Sequence, residues 1–233
     1  EGAQHYFTME LVAGGSVEKV IDEGGAISVD QAMRIARDAA TGLEYAEKQG
    51  VVHRDIKPGN LMIATNGAVK IGDLGIARTT DESGVASQQD GVSGSPHYIA
   101  PEQARGEAID QRADIYSLGA TLFHCLAGRT PYRGAGAREV ILKQIEAKAP
   151  PSLSNVSPGT PPEVCDLVER MMSPKPEDRP HNARILGEEL DLLISTFGSR
   201  TGDEPDAGNA RWWRAALYLL ILLVVVSSIS LSL

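Results

Sequence analysis

Nineteen consecutive residues without a charge, Ala215–Leu233, close the sequence and commit its end to an apolar environment. As a helix they reach about 28 Å, near the roughly 30 Å hydrocarbon core of a bilayer. Ser227, Ser228, Ser230 and Ser232 dilute the far half, yet a serine hydroxyl can bond back to its own helix carbonyl. Arg211, Trp212, Trp213 and Arg214 stand just ahead. Indoles favour the headgroup level and arginines the cytoplasmic side. The pattern predicts one transmembrane helix over 211–233, at the cell (inner) membrane, with the preceding domain in the cytoplasm. A buried core helix is the competing reading, disfavoured because core helices seldom lack polar positions over this length. Residues 198–210, rich in Gly, Asp and Pro, read as a juxtamembrane linker.

The residues before that linker carry the periodicities of a folded domain. Ser28 followed by Gln31 has the form of a capping box. Ala32, Ile35, Ala36, Ala39, Leu43 and Ala46 then recur at helical spacing, and Gly50 supplies a stop. Leu61–Ile63 and Val69–Ile71 flank Asn66-Gly67, which predicts a hairpin. Helices are expected over Ala113–Ala127, Ala137–Ala147, Pro162–Met172 and Asn182–Phe197. Little strand near the front and helix behind is α+β, mainly helical. The net charge of −9 argues against a nucleic-acid binder, which needs clustered cations. Cys125 and Cys165, 40 residues apart, fit free thiols of a reducing compartment.

Five short motifs then occur in a fixed order. His53-Arg54-Asp55-Ile56-Lys57-Pro58-Gly59-Asn60 comes first, and Asp73-Leu74-Gly75 closes the hairpin. Ala100-Pro101-Glu102, Asp114-Ile115-Tyr116-Ser117-Leu118-Gly119 and Asp178-Arg179-Pro180 follow. Any one of them alone is weak evidence. Together they resemble the protein-kinase family, specifically the eukaryotic-like Ser/Thr kinases of bacteria, and the resemblance runs from Tyr6 to Phe197.

What the resemblance implies agrees with the chemistry of phosphoryl transfer, which needs a positioned hydroxyl, a metal bridge and charge stabilisation. Asp55 matches the residue that orients the substrate hydroxyl and accepts its proton. Lys57 matches the lysine that steadies the transferring phosphate, the Ser/Thr-kinase pattern. Asn60 and Asp73 match the Mg²⁺ ligands, and oxygen donors suit that ion. ATP and Mg²⁺ are therefore the expected cofactors, and protein Ser/Thr hydroxyls the acceptors. Met9, Glu10 and Val12 resemble the hinge on the adenine side, with Met62 as the apolar floor beneath the ring. Arg54 matches an arginine that pairs with a phosphate on the activation loop, here about 76–99. Ser87 is the favoured regulatory position, and Ser95 falls where the family contacts the catalytic Asp. Leu74 stands where the family usually has Phe, a neutral departure since both are apolar. Glu102 and Arg179 match a buried ion pair, and Asp114 the acid that anchors the catalytic-loop backbone.

The same resemblance divides the chain into 1–9, the end of an N-terminal lobe and hinge strand, and 10–197, the C-terminal lobe. The linker and the span follow. No G-x-G-x-x-G-x-V and no V-A-x-K stretch appears in the sequence. The N-terminal lobe is thus expected to be largely absent from this stretch of chain, which reads as a piece of a longer, receptor-like kinase. By itself it is expected to bind ATP poorly and transfer phosphate at a negligible rate. Homodimerisation for autophosphorylation is implied by the family alone. A non-catalytic scaffold, binding partners through the C-lobe helices, is the other reading. Asp55, Asn60, Asp73 and Lys57 together argue against it, since a scaffold has no chemical need for all four. A hydrolase built on His53 and Asp55 lacks a nucleophile or a metal triad.

Overall fold

Ser28 starts the longest helix by accepting the Gln31 amide on its hydroxyl at 3.4 Å. The computed structural model describes residues 10–73 and 96–198. Within it, helix α1 spans Val17–Gly24 and helix α2 Val29–Lys48. Ser16 caps α1 through the Lys19 amide, in the same way as Ser28 caps α2. The chain turns into α1 at Gly14-Gly15, with Gly15 at φ +87°. Ala32, Met33, Ile35, Ala36, Ala39, Ala40 and Leu43 bury one face of α2, as their spacing requires. Gly50, at φ +70°, ends the run.

Strands β1 (Leu61–Ile63) and β2 (Val69–Ile71) pair antiparallel, Leu61 opposite Ile71 and Ile63 opposite Val69. The Asn-Gly signal predicted this hairpin correctly, but its loop is one residue longer than the tightest type. The Gly67 amide bonds to the Ala64 carbonyl at 2.9 Å and the Ala64 amide to the Ala68 carbonyl at 2.8 Å. Gly67 alone of the loop residues takes a positive φ, +86°, so Asn66 is spared the left-handed strain of a two-residue turn. Leu61 and Ile63 point into the core while Met62 lies half-buried on the opposite face. From α2, Asp38 accepts the Val69 amide at 2.8 Å, satisfying a donor of β2.

The remaining helices are α3 (Pro101–Ala104), α4 (Arg112–Ala127), α5 (Ala137–Glu146), α6 (Pro162–Met171) and α7 (Ala183–Gly198). Helices α4 to α7 agree with the sequence spacing to within a residue at each end. The short α3 carries no periodicity long enough to be seen in advance. The compact unit to which these elements belong ends at Ser195; of a second unit, Thr196–Leu233, only the last three residues of α7 are described. Gly198, expected to open the linker over 198–210, instead ends α7; the rest of that linker and the expected span over 211–233 lie outside the described residues. Among those described, no helix is long and apolar enough to cross a membrane.

Helix α4 is the axis of the core. It is buried from Ala113 to Phe123 and packs against both α2 and α6. A helix enclosed on all sides has to be apolar all round, which explains its Ile-Tyr-Ser-Leu-Gly-Ala-Thr-Leu-Phe run. Its Ser117 and Thr121 hydroxyls are spent on carbonyls one turn back. At Gly119 a Cβ would stand 2.7 Å from Met171 Cβ and 3.0 Å from Met172 Cγ. Gly119→Val is therefore expected to cost about 1–3 kcal/mol through overpacking. A urea midpoint indistinguishable from the parent chain would show that α4 and α6 can part without penalty. Cys125 and Cys165 are both buried and free, as expected. Burial pushes the Cys125 thiol up to about 12, so it is not a reactive thiolate.

Candidate active site

The loop between α2 and β1 carries the densest set of polar contacts near the core. It is held from below by Asp114 of α4, whose side chain is buried. One carboxylate oxygen accepts the His53 amide and the other the Arg54 amide, each at 2.7 Å. Burial pushes the Asp114 carboxyl above the usual carboxylate range, and the two amides oppose that rise by bonding the charged form. These bonds fix a backbone that would not otherwise stay put. Arg54 sits at φ +67°, a left-handed conformation that costs a non-glycine residue about 1–2 kcal/mol.

His53, buried beneath the loop, ties it to the hairpin exit. Its Nε2 lies 3.1 Å from the Gly72 carbonyl, and the Asp55 amide lies 3.3 Å from its Nδ1. One tautomer serves both contacts: Nε2–H donates to Gly72 and unprotonated Nδ1 accepts from Asp55. Asn60 closes the loop from the other end, in a 3-10 turn over Pro58–Asn60. Its Nδ2 donates to the Asp55 carbonyl at 2.8 Å and to Asp55 Oδ2 at 3.0 Å. Lys57 Nζ donates to the same Oδ2 at 2.9 Å. Asp55 is thus a carboxylate at the surface of the loop, about 30% exposed, with two donors fixing one of its oxygens. The other oxygen has no partner among the described residues, so it can meet an incoming hydroxyl.

Asp73 follows the hairpin, exposed and at φ +44°. The Gly72 amide before it bonds the Asn60 carbonyl at 2.8 Å, which brings the Asp73 and Asn60 segments side by side. Asn60 has spent its Nδ2 on Asp55, and no described residue donates to its Oδ1. An amide oxygen and a carboxylate on adjoining segments form a hard-oxygen pair, which fits Mg²⁺ bound largely through phosphate and water.

With this geometry, the match to a known family is specific. The model of the protein kinase domain covers residues 1–190. The chain belongs to the protein kinase domain family. This kinase-domain chain is 35% identical over 206 residues to a probable serine/threonine-protein kinase of Clostridium perfringens, covering 87% of this chain and 30% of that protein. It is 35% identical over 208 residues to the serine/threonine-protein kinase PknB of Mycolicibacterium smegmatis, covering 88% and 32%. With PknA of Mycobacterium tuberculosis it shares 38% over 205 residues, covering 88% and 46%. The chain therefore spans about a third to a half of the length of these curated relatives.

The kinase-domain pattern extends below the loop. Arg179, whose side chain is fully buried, donates from Nη1 to Glu102 Oε1 at 2.6 Å and from Nη2 to Oε2 at 2.8 Å. It also bonds the Ser173 and Arg112 carbonyls, at 2.8 and 2.9 Å, and lies 5.0 Å over the Tyr116 ring. These bonds join α3, α4 and the segment before α7. Of the residues expected beside the adenine, Val12 and Met62 are half-buried. The Glu10 carboxylate instead faces Lys70, with Nζ 2.7 Å from each oxygen. Met9, Leu74, Ser87 and Ser95 lie outside the described residues. Arg54 Nε is buried with no partner among those described.

Two contacts were not foreseen from sequence. In sequence His53 is legible only as part of the loop motif and of the disfavoured hydrolase pair with Asp55, and its role as a tie between two loops needs the fold to appear. Gln103 adjoins Ala100-Pro101-Glu102 but belongs to none of the five motifs. Its side chain reaches the Arg54 carbonyl across 49 residues of sequence, and no local signal marks such a contact.

Proposed function

We propose that this chain carries the catalytic loop of a Ser/Thr protein kinase, transferring the γ-phosphate of ATP to protein Ser/Thr hydroxyls. The observation that carries this reading is the convergence of Lys57 and Asn60 on one oxygen of Asp55, over a backbone pinned by Asp114. In that arrangement Asp55 orients the acceptor hydroxyl and takes its proton. Lys57, 2.9 Å away, is placed to meet charge on the transferring group. ATP with Mg²⁺ supplies the phosphoryl group and the bridging charge, and Asn60 Oδ1 and Asp73 are the side chains that would hold the metal. Arg54 would receive a phosphate from the loop that includes Ser87, with Ser95 beside Asp55. The relatives named as serine/threonine-protein kinases support Ser and Thr as acceptors.

The test uses the full-length gene product with labelled ATP, Mg²⁺ and a panel of Ser, Thr and Tyr peptides. Label should enter Ser or Thr peptides and vanish on chelation of Mg²⁺. Transfer to Tyr alone, or none at all, would overturn the reading. The chain by itself, without a Gly-rich loop and V-A-x-K lysine, should show no more transfer than its Asp55→Asn variant.

Membrane anchoring through 211–233 is a separate part of the proposal and rests on the charge-free run and its Arg-Trp-Trp-Arg approach. The gene product should stay in the membrane pellet after alkaline carbonate extraction. Release into the supernatant would remove the anchor and the receptor-like layout with it, and leave the kinase reading intact.

A further inference from the structure

We propose that Gln103 is a positioning residue for the catalytic loop: its side-chain amide holds the Arg54–Asp55 peptide plane, and through it the Asp55 carboxylate. The proposal rests on the kinase reading of Asp55 and adds a residue to which no part of that reading assigns a role.

A peptide plane has two handles, the carbonyl of one residue and the amide of the next, and rotating it moves both together. In the plane joining Arg54 to Asp55, the amide handle is held by His53 Nδ1 at 3.3 Å. The carbonyl handle is held by Gln103 Nε2 at 3.1 Å. Asp114 fixes the preceding plane through the Arg54 amide at 2.7 Å, and Asn60 fixes the following one through the Asp55 carbonyl at 2.8 Å. The Arg54–Asp55 plane lies between those anchors and leaves a residue held at φ +67°. A strained residue relaxes most readily by rotating the adjoining peptide, and here the bonds opposing that rotation are a long one to His53 and the one to Gln103. Once the plane turns, the Asp55 Cα–Cβ direction turns with it, and the carboxylate leaves the position set by Lys57 and Asn60.

The placement of Gln103 gives this bond a second consequence. It lies in α3, next to Glu102, which is locked to Arg179. Gln103 therefore carries the rigidity of that ion pair to the catalytic loop. The two residues also hold an unused donor and an unused acceptor, since Arg54 Nε and Gln103 Oε1 are both buried without partners among the described residues. The contact thus has hydrogen-bonding capacity beyond the bond it makes.

The test compares Gln103→Met, which keeps length but loses the donor, and Gln103→Glu, which turns the donor into an acceptor. In the full-length gene product both should lower kcat about tenfold, below the roughly hundredfold cost of an ångström-scale misplacement. KM for ATP and for peptide should stay at the parent values. A purely structural role would shift the midpoint and leave kcat of the folded fraction unchanged, which would overturn the proposal. Independently of activity, the Asp55 amide should exchange with solvent at least tenfold faster in Gln103→Met, while the Ile63 amide of the hairpin keeps its parent rate. Unaltered exchange at Asp55 would overturn the proposal as well. A parent protein with no transferase activity would sink the kinase reading, and the exchange result would still decide the role of Gln103.

Discussion

Replacing Asp55 by Asn is expected to lower phosphoryl transfer by the full-length gene product by about 10²–10⁴-fold, the usual range for a positioned proton acceptor. The substitution preserves shape, so its effect is chemical. An amide cannot take the hydroxyl proton. Its NH₂ would also face Lys57 Nζ or Asn60 Nδ2, which now donate to Oδ2 at 2.9 and 3.0 Å. Either the side chain turns its oxygen toward these donors and presents NH₂ to the substrate, or it repels them. Asp55 is partly exposed and makes no buried ion pair, so the unfolding midpoint should move little. Single-turnover transfer with ATP and Mg²⁺ checks the first effect, and urea unfolding the second. Activity within threefold of the parent would mean that the proton leaves by another route and that Asp55 is not its acceptor.

The second large effect concerns stability. Arg179→Ala should destabilise the domain by about 3–5 kcal/mol, because it leaves the Glu102 carboxylate buried without its partner. Glu102 and Arg179 side chains are 6% and 0% exposed, so water cannot take over the missing bonds. The loss also frees the Ser173 and Arg112 carbonyls and removes the cation from the Tyr116 face. If the variant is too unstable to purify, Glu102→Gln supplies the graded measurement, since a neutral amide still accepts one bond from the guanidinium. The double variant Glu102→Leu/Arg179→Met should cost less than the sum of the single changes, since neither charge then remains buried alone. Strict additivity in denaturant unfolding, or a single-variant loss below 1 kcal/mol, would show that the pair does not act as a unit.

These two sites differ in how openly the sequence declared them. Asp55, Lys57 and Asn60 lie within six residues of one another, and their chemistry is local. Lys57 and Asn60 reach Asp55 because the short 3-10 turn at Pro58–Asn60 folds the chain back on itself. The Glu102–Arg179 pair spans 77 residues and was legible only through its motifs. Residue type and spacing do not by themselves bring α3 against the segment before α7. The elements follow the same division. Serine caps, apolar spacing and Asn66-Gly67 announced α2 and the hairpin, while four-residue α3 has too few positions for any periodicity.

What the sequence alone determined is the local chemistry: which segments coil, which strands pair, and which short motifs bear acid, amide and cation within reach of one another. These depend on neighbours a few residues apart, where backbone geometry dictates the distances. The tertiary structure decided the rest. It set Arg54 in a left-handed conformation by aiming Asp114 at two consecutive amides, and it made His53 a tie between Asp55 and Gly72. It also turned Glu10 toward Lys70 and brought Gln103 to the Arg54 carbonyl. Apart from the His53–Asp55 bond, each of these contacts joins residues distant in sequence, and their distances follow from how α3, α4 and the hairpin pack, which no spacing along the chain encodes.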